Sequence, residues 1–183
     1  MNKKFKALVA KAKELGASDA KIIEVASIKT GAWTRWKCQF GCPNYGHKHC
    51  CPPNVPTYKE TREFLKEYKH GLLVQFTYKL TAADLKNYAQ RDVQIGNETL
   101  KVLLQLEKAA FLENYYKAFA LKGGTCHLCE TCGEFCNHPT QARPSMEAVG
   151  IDVFAFAADN GYKIEVMQGA EQELKICCLV LLA

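Results

Sequence analysis

Leu174-Lys-Ile-Cys-Cys-Leu-Val-Leu-Leu182 reads as a β-strand, and so does the run before it, Tyr162-Lys-Ile-Glu-Val-Met167. Gly169 and a polar stretch separate the two, which predicts an antiparallel pair at the end of the chain. Strand alternation sends Cys177 and Cys178 to opposite faces, and both are expected to serve packing. The apolar run Cys177–Ala183 is the longest in the chain, and it is far shorter than the roughly 20 residues that a membrane-spanning helix needs.

Working outward toward the N-terminus, Val153–Ala158 reads as a helix. A long helix is expected from about Glu98 to Leu121, with Leu100, Leu103, Leu104, Phe111, Tyr115 and Ala118 on one face and Gly123-Gly124 as its stop. Ala82–Arg91 reads as a short helix and Leu72–Tyr78 as an apolar strand. Thr57, with Glu60 three residues on, caps a helix expected to run through Lys69. Trp33–Lys37 reads as a short aromatic strand, Ala20–Ser27 as another strand, and Lys3–Leu15 as an amphipathic helix ended by Gly16. These elements predict one α+β domain over residues 1–183, with helices packed on a four- to five-stranded mixed or antiparallel sheet.

Two cysteine-rich segments interrupt this pattern, at about 38–56 and 124–144, and both are expected to be cluster-binding loops. A structureless stretch of that length inside a domain calls for something to hold it. The second segment, Cys126-His-Leu-Cys-Glu-Thr-Cys-Gly-Glu-Phe-Cys136, has the spacing C-x2-C-x2-C-x3-C at Cys126, Cys129, Cys132 and Cys136. Two-residue gaps suit a tight turn around an inorganic cluster, whereas zinc tetrads usually pair two knuckles across a long gap. The first segment supplies Cys38, Cys42, Cys50 and Cys51, with Pro43 and Pro52 following two of them. Its adjacent cysteines cannot easily ligate one metal, which leaves open whether each segment serves its own cluster or whether a ligand is exchanged between them. Eight cysteines in two sets of four predict two [4Fe-4S] clusters, with zinc as the alternative. His47, His49, His127 and His138 lie within these loops as expected hydrogen-bond donors to the ligands.

Beyond the second set, Arg143 is a candidate to grip a carboxylate or face a cluster. Ser145 caps a turn that carries Glu147, and Met146 is expected to fill the core. Glu147 and Asp152 would join Arg143 in any polar substrate pocket.

The formal charge is +5, and much of it sits at Lys3, Lys4, Lys6, Lys11 and Lys13 on one helix face. Without a nucleic-acid-binding module this reads as a solvated face, so neither nucleic acid nor membrane is expected as a partner. The N-terminus lacks the apolar stretch of a signal peptide, which predicts a cytoplasmic protein. Ten cysteines in a reducing compartment then argue for metal or cluster binding rather than disulfides.

The ordered set Cys38, Cys42-Pro43, Cys50-Cys51-Pro52-Pro53, Cys126 to Cys136, Arg143, Ser145-Met146-Glu147-Ala148 and Gly150-Ile151-Asp152-Val153 resembles a family of small cysteine-rich prokaryotic proteins, uncharacterised and described as metal-binding. The resemblance runs from about Lys11 to Leu181 and implies a metal site without naming a reaction. The second cysteine spacing separately resembles bacterial ferredoxins, although Cys136-Asn137-His138-Pro139 replaces their direct Cys-Pro. The expected function is therefore intracellular electron transfer through two clusters to a redox partner protein, with homo-oligomerisation left open. A small iron–sulfur reductase or activation factor with a substrate site beside a cluster, and a zinc-stabilised interaction module, are the alternatives.

Overall fold

Leu72–Val74 and Cys177–Leu182 are nearly inaccessible to solvent, and they lie on the two strands at the centre of the fold. The computed structural model describes residues 2–167, 169 and 173–183. Four strands form one fully antiparallel sheet: β1 (Asp19–Glu24), β2 (His70–Lys79), β3 (Phe119–Leu121) and β4 (Glu173–Leu181), in the order β1-β2-β4-β3. The central pair is in register from Gly71 opposite Leu181 to Lys79 opposite Glu173. Both strands are covered on both faces, which is why they read as continuous apolar runs rather than as alternation.

Cys177 and Cys178 do point to opposite faces, and each joins a different core. Cys178, Leu72, Val74, Phe76 and Val180 meet Leu8 and Ala12 of α1 (Lys3–Glu14). The same face meets Leu103, Leu106 and Ala110 of α5 (Tyr88–Leu112). On the other face, Cys177, Leu73, Leu179 and Leu181 pack with Met146, Val149 and Ile151, and with Phe156 of α6 (Val153–Asp159). Leu65 of α3 (Tyr58–Leu65) closes that side. Each fully buried apolar side chain of this kind contributes about 1.5–3 kcal/mol before entropy is counted.

The Thr57–Glu60 capping box forms as expected, with Thr57 N–H donating to Glu60 Oε2 at 2.7 Å and Glu60 N–H to Thr57 Oγ1 at 3.3 Å. Several other expectations are corrected. Trp33–Lys37 is not a strand but part of α2 (Ala32–Gly41), which carries Cys38 and ends at Cys42. Its aromatic residues Trp33, Trp36 and Phe40 recur at helical spacing, and the sheet already ends at β1 and β3. The long helix begins ten residues before Glu98 and stops at Leu112, because Asn114 takes a left-handed backbone (φ 71°) and the chain turns into β3. It is preceded by the short α4 (Ala82–Lys86). Residues 162–167 form no strand and run along one wall of a cleft. The cysteine segments are not distinct cluster-binding loops: the first begins inside α2, and both are folded into turns against the rest of the chain. No helix among the described residues is long and apolar enough to cross a membrane.

Candidate functional site

After β3 the chain continues as Lys122-Gly-Gly-Thr-Cys-His-Leu-Cys129, and its side chains divide between two spaces. Cys126, Leu128 and Cys129 line a cavity of about 10 Å³ together with Cys50, Cys132 and Cys136. Lys122, Gly124, Thr125 and His127 line a cleft of about 660 Å³.

The cysteine cavity joins the two segments of the sequence. Lys48 Nζ donates to the carbonyls of Cys129 (3.0 Å) and Glu130 (2.8 Å), and His49 Nε2 donates to the Gly133 carbonyl (2.9 Å). Cys50 thereby lines the same cavity as Cys126. The Cys126 thiol and burial push the Cys50 thiol up, while the Cys50 thiol holds Cys126 below the usual thiol range. The remaining cysteines of the first segment gather elsewhere. Cys38 is pushed up by burial and by the neighbouring Cys42 and Cys51 sulfurs. Asn44 Nδ2 lies 3.9 Å from Cys42 Sγ, and Cys51 Sγ lies 3.4 Å from Thr125 Oγ1. All ten cysteines are free.

This arrangement overturns the cofactor expectation. Among the described residues, no group of three or more His, Cys, Asp or Glu side chains is placed to hold a metal ion. The cavity lined by the second-segment cysteines is only about 10 Å³, and Cys42 and Cys51 contact Asn44 and Thr125. Two [4Fe-4S] clusters on Cys38, Cys42, Cys50, Cys51, Cys126, Cys129, Cys132 and Cys136, and zinc in their place, are both contradicted. Electron transport and the iron–sulfur reductase and zinc-module alternatives fall with them.

Arg143 does grip a carboxylate, but a structural one. Its Nε and Nη2 donate to Glu107 Oε2 (2.9 Å) and Oε1 (2.5 Å), and Glu107 Oε2 also accepts the Ala120 N–H at 2.6 Å. This fork ties the turn before Pro144 and the start of β3 to α5. Ser145 caps its turn as expected, accepting the Ala148 N–H at 3.1 Å, and Met146 is fully buried. Asp152 caps α6, accepting the Ala155 N–H at 3.0 Å, and takes no part in the cleft.

The cleft is where polar groups converge. Tyr88, Asp92 and Gly96 of α5 fall four apart and so share one helix face toward it. Asp92 Oδ2 lies 3.1 Å from His127 Nε2. That contact, with the charges of His127 and Lys122, holds the Asp92 carboxyl below its usual range against the effect of burial. Gly96 makes room for the imidazole: a Cβ there would lie 2.6 Å from His127 Cδ2. Lys122 is only 1% exposed, and its ammonium donates to the Thr125 carbonyl. Burial pulls its pKa down, and the neighbouring Cys178 and Cys126 sulfurs and Asp92 oppose this.

Glu147 is half-buried on the cleft wall, yet its Oε2 is shut off from solvent with no hydrogen-bond partner. Burial raises its pKa, offset in part by the Glu147 amide, Ser145, Lys122 and the Gly124 amide. The opposite side is apolar, formed by Val153, Ile164, Val166, Met167 and Ile176. Cys177 also lines the cleft, but burial pushes its thiol up to about 11, so it is a poor nucleophile.

Residues 21–182 match the model of a family described as predicted metal-binding protein (DUF2284). The chain belongs to that family. The ordered motifs from Cys38 to Val153 lie within the matched region, so the resemblance they carry is borne out. The metal in the family's description does not fit the donor sets among the described residues, since none of them brings three side chains together around an ion. No curated protein and no solved structure matches the chain significantly.

Sequence reasoning missed Asp92 and Lys122 as site residues, and gave His127 and Glu147 other roles. One available signal was Gly96, a lone glycine inside a strong helical pattern and four residues after an acidic side chain.

Proposed function

We propose that this protein binds a small amphipathic molecule in the 660 Å³ cleft and exchanges a proton with its polar end. The polar group would sit against Glu147, Lys122 and His127, with the apolar portion along Ile164, Val166 and Ile176. The observation that carries this reading is the unpartnered Glu147 Oε2. An unsatisfied buried carboxyl oxygen costs about 1–3 kcal/mol, and a bound donor or acceptor relieves that cost. His127 with its Asp92 partner has the form of an acid–base group whose ring is oriented by a carboxylate. Apolar lining with a few convergent polar groups is the usual composition of a small-molecule site.

Ligand-observed NMR against small amphipathic amines, alcohols and carboxylic acids tests the reading on the full chain. Binders should lose about 10- to 100-fold in affinity with Glu147→Gln, the size of one hydrogen bond to a charged group. They should lose it also with Val166→Trp, which fills the cleft from an exposed position. If no compound binds, or if the binders ignore both substitutions in proteins with unchanged thermal unfolding, the proposal fails.

A further inference from the structure

α2 packs its polar side inward and leaves its rings outside. Thr34 is buried and donates to the Gly31 carbonyl at 3.0 Å, and Arg35 Nη1 donates to the carbonyls of Ala148 (3.0 Å) and Pro56 (3.2 Å). These bonds fix which face of the helix meets the protein. Trp33, Trp36 and Phe40, three and four residues apart, form one stripe on the other face and are 48%, 66% and 74% exposed. Burying such rings is favourable, so a stripe of three left in water marks a surface that another apolar phase covers. The surroundings state the charge of that phase. Residues 25–59 contain no Asp or Glu but hold Lys29, Arg35, Lys37, Lys48 and Lys59, as many cations as the whole chain's net +5. Among the described residues, only Lys29 of these forms an ion pair, with Asp159. Lys37 is exposed and lies beside the stripe on the helix. Glu60, the next carboxylate along the chain, is turned back onto Thr57.

We propose that this face binds the surface of an anionic lipid bilayer, with Trp33, Trp36 and Phe40 entering the headgroup region and Lys37 meeting lipid phosphates. A helix lying flat in the interface, aromatic on one side and with cations at its flank, is a recurring form of such contacts. α2 spans about 15 Å, and the stripe runs most of its length. Charge opposes a second copy of this chain as the occupant, because the same acid-free cations would face each other. Single-stranded nucleic acid needs ring faces open to stacked bases, whereas Trp36 and Phe40 lean together with centroids 5.8 Å apart and planes at 45°. The proposal departs from the expectation drawn from the α1 lysines, since the exposure of the α2 rings is set only by how that helix docks.

Both tryptophans of the chain, Trp33 and Trp36, lie on this face, so intrinsic fluorescence reports on it directly. The test titrates the full chain at low salt with vesicles of equimolar phosphatidylglycerol and phosphatidylcholine, read by tryptophan emission and by co-sedimentation. The expected result is a blue-shifted emission and co-sedimenting protein, both weakened by added salt and by vesicles of phosphatidylcholine alone. Trp36→Ser combined with Phe40→Ser should weaken binding by at least about tenfold with Trp33 still reporting. Lys37→Glu, at an exposed position that no core contact depends on, should weaken it severalfold. Phe111→Ser, which removes a comparably exposed ring on α5, should leave binding as it was. The proposal is overturned if the vesicles neither shift the emission nor carry the protein down. It is overturned equally if the substituted α2 chains bind as tightly as the unsubstituted one, or if a single-stranded oligonucleotide moves the emission and the vesicles do not.

Discussion

Replacing Gly96 by alanine sets two opposed effects against each other. In an exposed helix interior the change stabilises by about 0.5–1 kcal/mol, because glycine loses more backbone entropy on folding. Here the added methyl would lie 2.6 Å from His127 Cδ2, 3.4 Å from Nε2 and 3.7 Å from Cγ. The imidazole is held by Asp92 at 3.1 Å, so it moves only by giving up that contact. Forcing a methyl into a filled site costs about 1–3 kcal/mol. The net expectation is a destabilisation of about 1–2 kcal/mol, or roughly a 0.5–1 M fall in the urea midpoint at unchanged slope. In a His127→Ala background the clash is gone, and Gly96→Ala should then stabilise by about 0.5–1 kcal/mol. The double-mutant cycle therefore changes sign. If Gly96→Ala stabilises the unsubstituted protein, with the His127 imidazole NMR signals unmoved, the account of this wall of the cleft is wrong.

Arg143→Ala should cost about 2–3 kcal/mol by urea unfolding, less than a fully buried pair because both side chains keep some solvent contact, and Arg143→Lys should restore less than half of it. Glu147 has a folded pKa raised above its unfolded value, so its folded state holds a proton that the unfolded chain has released. Stability should fall as pH rises from the ordinary glutamate value through the raised one, and Glu147→Gln should flatten that fall in a pH series of urea midpoints. Gly150 sits at φ +94° with the place of a Cβ only 2.4 Å from Tyr58 Cβ, so Gly150→Ala should destabilise by roughly 3 kcal/mol in the same assay.

Elements whose apolar period is local were legible. α1, α3, β2 and β4 lie close to where their patterns put them, and Cys177 and Cys178 face opposite cores as alternation requires. Trp33 and Trp36 misled because aromatic residues favour strands, and because a helix that exposes them together with Phe40 offers little amphipathic signal. Tyr162–Met167 alternates like a strand, but it pairs with no strand of the sheet and lines the cleft instead, while β3 flanks β4 only at Leu179–Leu181. The cysteine spacing was read for the cofactor it usually serves, and spacing does not state how much room the folded chain leaves between sulfurs.

By itself the sequence determined an α+β chain, its central apolar strands, its capped helices and its family. Those follow from periodicity, capping and ordered motifs, all of which are local along the chain. Only the tertiary structure decided which distant residues meet: Asp92 with His127, Lys122 and Glu147 on one cleft, Arg143 with Glu107, Cys51 with Thr125. Such pairs depend on where helices and turns dock across the sheet, and a side chain's partner and burial are set by that docking rather than by its neighbours in sequence.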